Sequence, residues 1–265
     1  MNNLHRELAP ISAAAWADLE EEATRTFRES AAARRVVDVV VAGDPALAAI
    51  GTGHREPVSG PVAGVSASLR TAQRIVELRV PFTVSREAVD SVEQGAEDAD
   101  WQPVKDAAQQ IAHVEDRIVV DGFAEAGISG IRAASSLAPV ALPAEAGAYP
   151  KAIGDALAKL RDAGVAGPYA VMLSDEAHTA AIEAADYGYP VLEHLRQIVD
   201  GDLVRTAAIG GACVLSTRGG DYELHFGQDL SIGYTGHDSS TVELYFQETL
   251  TFLVNTAEAG VGLTA

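Results

Sequence analysis

GTGHREPVSGPVAGVSASLR, residues 51–70, is the stretch on which the fold turns. Gly51, Gly53, Gly60 and Gly64, with Pro57 and Pro61, deny it a helical repeat, while Val62 and Val65 keep it from being purely polar. Such punctuation predicts an extended arm rather than a packed helix. Structureless connections longer than about 12–15 residues are uncommon inside a compact domain. An arm of this kind therefore points outward, to contact with another subunit.

Upstream of the arm, Trp16, Leu19, Ala23 and Phe27 recur at helical spacing with charges between them, predicting a helix over 12–33 with Ser12 as N-cap. A β-branched strand over 36–41 follows, with Asp38 in its middle. Downstream, alternation over 75–82 predicts a strand, and Ser85 caps a short helix ending at Gly95. Pro103 opens a long amphipathic helix carried by Val104, Ala107, Ile111, Val114 and Ile118. An Ala-, Ser- and Pro-rich connector covers 133–149. Helices over 150–163, 174–185 and 191–199 then alternate with strands over 168–173, 203–209 and 212–217, as in a compact α/β insertion. Arg218-Gly219-Gly220-Asp221 reads as a hairpin turn joining 213–217 to 222–226, and strands over 229–234 and 241–254 close the chain.

The chain has 265 residues, 48% of them hydrophobic and 22% charged, enough for one large or two modest cores and unlike a disordered protein. Its net charge of −19 is the wrong sign for a non-specific nucleic-acid or anionic-membrane binder. No segment approaches the roughly 18–20 apolar residues of a membrane span, and the N-terminus shows no secretory pattern. The single Cys213 excludes an intrachain disulfide and fits a reducing compartment.

Seven scattered histidines form no metal-binding spacing, so no metal is expected. Gly51-Thr52-Gly53 does not extend into a dinucleotide fingerprint, and phosphate loops and nucleophile elbows are absent. The acidic run Glu93, Glu97, Asp98, Asp100 matches no calcium loop and reads as solvated surface. The residues argue against an enzyme.

Several blocks nevertheless resemble the encapsulins. They are Glu7–Ile11 with Trp16, Arg34–Asp38, Glu77–Thr83, Gly167–Tyr169, Gly188–Pro190, Leu215–Asp221, Gly227–Tyr234 and Thr249–Phe252, in family order along the whole chain. The resemblance implies an α+β, HK97 phage major-capsid-like fold. Its peripheral domain would comprise 1–50, 71–135 and 224–265, its extended loop 51–70 and its axial domain 136–223. It implies a non-enzymatic shell protein of the cytoplasm that self-assembles, with 60 subunits expected. The partner implied is a cargo enzyme, a dye-decolourising peroxidase or a ferritin-like protein, held by its C-terminal peptide in a service of oxidative defence or iron storage. Positions matching the family's docking groove are Phe27, Arg34, Asp38, Leu230, Ile232 and Tyr234. The pore loop corresponds to Asp186, Tyr187, Gly188 and Tyr189, where a ring of carboxylates would favour cations. Flavin-binding members carry a Trp where this chain has Glu87, so no cofactor is expected. Two other readings are a phage or prophage capsid protein packaging DNA, and a soluble peptidase or peroxidase.

Overall fold

The protein is seen in a computed structural model that describes residues 3–186 and 188–264. Helix α1 (Ala13–Ser30) starts where Ser12 accepts a hydrogen bond from the Ala15 N–H, and it buries Ala15, Leu19, Ala23 and Phe27. A 3-10 turn at Ala33–Arg35 delays strand β1 (Asp38–Val41), which begins at Asp38 instead of enclosing it. The arm is a two-stranded antiparallel hairpin, β2 (Ala49–Val58) and β3 (Ala67–Arg74), with Gly51 opposite Ala72 and Val58 opposite Ala67. Strand β4 (Val76–Ser85) leads into α2 (Arg86–Glu93), capped by Ser85, and then α3 (Gln102–Val120), with Pro103 in its first turn.

Strands β5 (Gly122–Phe123) and β6 (Ile128–Ser129) form a small hairpin before α4 (Ile131–Ala134) and β7 (Val140–Ala141). Next come α5 (Tyr149–Asp162), β8 (Tyr169–Ser174) and α6 (Asp175–Glu183), then the short pair β9 (Ala185–Asp186) and β10 (Tyr189–Pro190). Helix α7 (Val191–Ile198), β11 (Leu203–Thr206) and β12 (Ala212–Ser216) precede β13 (Tyr222–His237), β14 (Thr241–Val254) and β15 (Gly260–Thr264).

Two sheets organise these elements. One runs β1-β13-β14-β4 and the other β11-β8-β12-β15-β7. The Arg218–Asp221 turn is therefore not a hairpin: β12 belongs to the second sheet and β13 to the first. Gly219 and Gly220 take positive φ (87° and 80°), as a tight turn demands, but the turn redirects the chain between sheets. The Arg218 fork on Asp221, at 2.9 Å through each nitrogen, and the Gly220 N–H donated to the Asp38 carboxylate fix that crossing. The last strand also departs from expectation. β15 lies antiparallel to β12 and parallel to β7, so residues 224–265 are divided between the two sheets. The 133–149 connector contributes β7 to that same sheet.

Two apolar clusters follow the sheets. The smaller joins α1, α2, β4, β13 and β14 to the first half of α3, through Val104, Ala107 and Ile111. The larger surrounds β8, β12 and β15 and takes up Ile118, Val119 and Val120 from the end of α3. Helix α3 thus spans both cores, as do β13, through Leu224 and Phe226 on one side and Ile232 on the other, and β14, through Leu250 and Phe252 on one side and Leu244 and Phe246 on the other.

Candidate functional site

Helix α1 lies beside β13 over a pair of adjoining hollows. The first, about 420 Å³, is lined by Thr24, Phe27, Arg28, Arg34, Asp229 and Leu230 among others. The second, about 260 Å³, includes Ala23, Ile232 and Phe246 and shares Thr24 and Leu230 with the first. Together they make a groove with an apolar floor and charged rims. Helical spacing puts Thr24, Phe27 and Arg28 on one side of α1, while Leu230 and Ile232, two apart on β13, point to the same face.

Four of the six expected docking residues, Phe27, Arg34, Leu230 and Ile232, come together here. Phe27 and Ile232 are almost fully buried and Leu230 is half-buried. Asp38 lines a separate hollow of about 160 Å³ with Val36, Thr217 and Tyr222, joined to the groove only through Arg35. Its carboxylate is already engaged by Gly220. Tyr234 lines neither part of the groove; its N–H donates to the Leu4 carbonyl at 2.8 Å and its hydroxyl pairs with His237.

Arg34 is the anchor of the groove's inner end. Its guanidinium is sandwiched between Phe27 (4.7 Å) and Phe226 (4.2 Å). Its Nε and Nη2 donate to Glu115 at 2.8–3.0 Å, and Nη2 also reaches Asp229 at 2.8 Å. Burial opposes the charge, but these carboxylates outweigh it and raise the guanidinium's pKa further. The aromatic faces and carboxylates thus place Arg34 as a support for the groove, its donors largely spent. Thr24, Arg28 and Asp229 were not singled out by sequence; a spacing of three from Phe27 would have found Thr24, and a spacing of four from Thr24 would then have found Arg28.

Between α6 and α7, β9 and β10 form a tight turn in which Asp186 pairs with Tyr189. Gly188 takes φ 82° there. Tyr189 is exposed, its hydroxyl accepts from Gln197 at 2.8 Å, and its ring lies edge-on to His194. Tyr187 lies outside the described residues, as does the side chain of Asp186. Among the described residues no cluster of three or more metal-ligating side chains occurs, and no helix is long and apolar enough to cross a membrane.

Comparison with known proteins agrees with this architecture. Solved structures with similar folds include a virus-like particle from Pyrococcus furiosus (TM-score 0.66, 14% identity, covering 94% of this chain and 98% of that one). The capsid of the myovirus XM1 is similar as well (TM-score 0.56, 12% identity, 88% and 90%). The fold is therefore α+β and HK97-like, as the resemblance implied. In sequence, residues 1–251 match the family described as encapsulating protein for peroxidase. A type 1 encapsulin shell protein of Rhodococcus erythropolis is 57% identical over 99% of this chain and all of its own length. One from Mycobacterium tuberculosis is 53% identical over the full length of both. With a matching fold, a family match over nearly the whole chain and relatives this similar end to end, the chain belongs to the encapsulins, a family of shell proteins rather than enzymes.

Proposed function

We propose that this protein assembles into a 60-subunit icosahedral compartment in the cytoplasm and holds a cargo enzyme by its C-terminal peptide in the groove between α1 and β13. The observation that carries the docking site is the groove itself: an apolar floor of Phe27, Leu230 and Ile232 with charged rims, suited to an extended peptide that buries a few aliphatic side chains. Many weak sites acting together would retain an oligomeric cargo by avidity. A dye-decolourising peroxidase or a ferritin-like protein is the cargo class the family resemblance favours. The 185–190 turn, with Asp186 and Tyr189, is proposed to border a pore for small cations.

Self-assembly is supported by surfaces that a lone subunit leaves exposed. The arm presents Val58, Val62, Val65 and Leu69 to solvent, and β1, at the edge of its sheet, presents Val39, Val40 and Val41. Exposed apolar strand edges invite a partner chain. The DNA-packaging reading rests on fold alone, whereas full-length identity to encapsulin shell proteins favours the compartment.

Co-expression with a dye-decolourising peroxidase, followed by light scattering and gel analysis of purified particles, tests both parts. Sixty subunits of 27.6 kDa give about 1.7 MDa under closed symmetry. Leu230→Asp should leave that mass intact and remove the cargo. Cargo retained at wild-type occupancy would discard the groove, and a monodisperse subunit or dimer would discard the shell.

A further inference from the structure

Beneath the groove the charges do not balance. Glu115 of α3 and Glu248 of β14 are both completely buried, and a single guanidinium, Arg34, faces them. Arg34 spends its Nε and Nη2 on Glu115 and Asp229. Glu248 Oε2 lies 3.7 Å from Nη2, too far for a hydrogen bond, and neither Glu248 oxygen has a hydrogen-bond partner among the described residues.

Among the described residues no further cation pairs with either glutamate, and Arg35, beside Arg34 in the groove, turns to Asp202 at 3.6 Å. From β4, Leu78 sits opposite Glu248, while its neighbours Glu77 and Arg79 alternate to the other face and pair with each other at 3.0 Å. The adjacent Gln247 gives its amide to Gln228. Asp116 turns away to the N–H groups of Ala32 and Ala33 and to the Thr206 hydroxyl. From α1 the Phe27 ring lies against the guanidinium, and the charged group that α1 adds to the same hollow is Arg28.

An ionised carboxylate buried without a hydrogen bond is far costlier than the neutral acid. Burial accordingly pushes both Glu248 and Glu115 upward from the ordinary carboxylate range. Between the two, the proton belongs on Glu248, because the Arg34 fork favours the anion of Glu115.

We infer that Glu248 is a proton-binding latch under the groove. While Glu248 is neutral, Arg34 holds Glu115 and Asp229 together and stays stacked against Phe27. When Glu248 ionises, it draws Arg34 away, and the wall formed by the end of α1 and the 31–35 segment loosens. The folded protein binds this proton more tightly than the unfolded chain. Stability therefore falls as pH rises from the ordinary glutamate value, about 4.3, toward the raised one. The latch stands on the buried cluster alone; its control over cargo rests on the docking proposed above.

Hydrogen exchange of empty assembled shells, read by mass spectrometry on the peptide covering residues 31–35 and corrected for intrinsic rates, tests it at pH 6 and pH 9. Protection in the wild type should drop at least tenfold, and Glu248→Gln, neutral at both pH values, should hold its protection within twofold. Equal protection at the two pH values in the wild type overturns the latch without recourse to a variant. So does an equal drop in Glu248→Gln. A pH-dependent wall together with cargo loading that ignores pH would keep the latch and count against the docking groove.

Discussion

At the scale of single residues, the groove depends on Arg34 more as a brace than as a contact for an incoming peptide. Replacing it with Met would leave Glu115 and Asp229 facing each other uncompensated, with an expected cost of about 3–5 kcal/mol, measurable by denaturant unfolding of the subunit. Arg34→Lys should recover little of that loss, because an ammonium cannot form the two-nitrogen fork on Glu115. Asp221 behaves in the opposite sense to Glu248. Burial alone would raise its carboxyl, but the Arg218 fork and neighbouring hydroxyls outweigh that and lower it. Its stabilising contribution is present above the unfolded-state value, about 3.9, and is lost as pH falls toward the depressed one. Asp221→Asn should therefore weaken the crossing between the sheets at pH 7 and make unfolding less steep on acidification, as thermal melts across pH 3–7 would show. Cys213, fully buried in β12, has its thiol pushed up to about 12 by burial. It should resist alkylation at pH 8 in the native protein and react only after unfolding, which mass spectrometry reads directly.

Elements differ in how openly the sequence declares them. Helices α1, α2 and α6 begin at Ser12, Ser85 and Ser174, each accepting from the N–H three residues on, because a hydroxyl placed before an apolar repeat has one obvious use. Ser85→Ala should accordingly cost about 1 kcal/mol, detectable as a lowered unfolding midpoint. Strand partnership was harder to read. The Gly219-Gly220 pair specifies a turn, but nothing local specifies that β12 finds β8 and β15 while β13 finds β1 and β14. Strand β13 reads as two because its register shifts near Gln228 and again near Tyr234. Strand β7 carries only two residues in an Ala- and Pro-rich stretch and exists because Leu263 arrives beside Val140. The groove was half legible: Phe27, Leu230 and Ile232 belong to visible apolar patterns, whereas Glu115 and Glu248 look like the solvent-facing charges of a helix and a strand. For the arm and the edge strand, Leu69→Asp and Val41→Pro should each shift material from full particles to small species on size exclusion, the first by burying a charge at a contact and the second by removing an N–H on the side of β1 away from β13, since the Ala42 N–H donates to Phe226 of β13 and the Val41 N–H faces the other way.

On the scale of the whole molecule, a net charge of −19 per chain becomes about −1140 for a proposed shell of sixty, by the same closed symmetry. Against that background the arm carries three arginines, Arg55, Arg70 and Arg74, and one acid, Glu56, so it is a positive finger on a negative body. Repulsion between subunits is screened over about 10 Å at 0.1 M salt and about 30 Å at 0.01 M. Assembly should be less complete at the lower salt, with light scattering showing mass recovered on adding sodium chloride. The second sheet sets a different limit. Its central strands β12 and β15 and its edge β7 are distant in sequence, and β15 is held on both sides. Closing such non-local pairs is slow compared with forming helices. The valines of the arm and of β1 are therefore exposed during a long folding step, so each newly made chain races between becoming a finished subunit and sticking to an unfinished one. Lowering synthesis temperature or rate should favour intact particles over aggregates without any change of sequence, since the competition is second order in unfinished chains while closure of the sheet is first order.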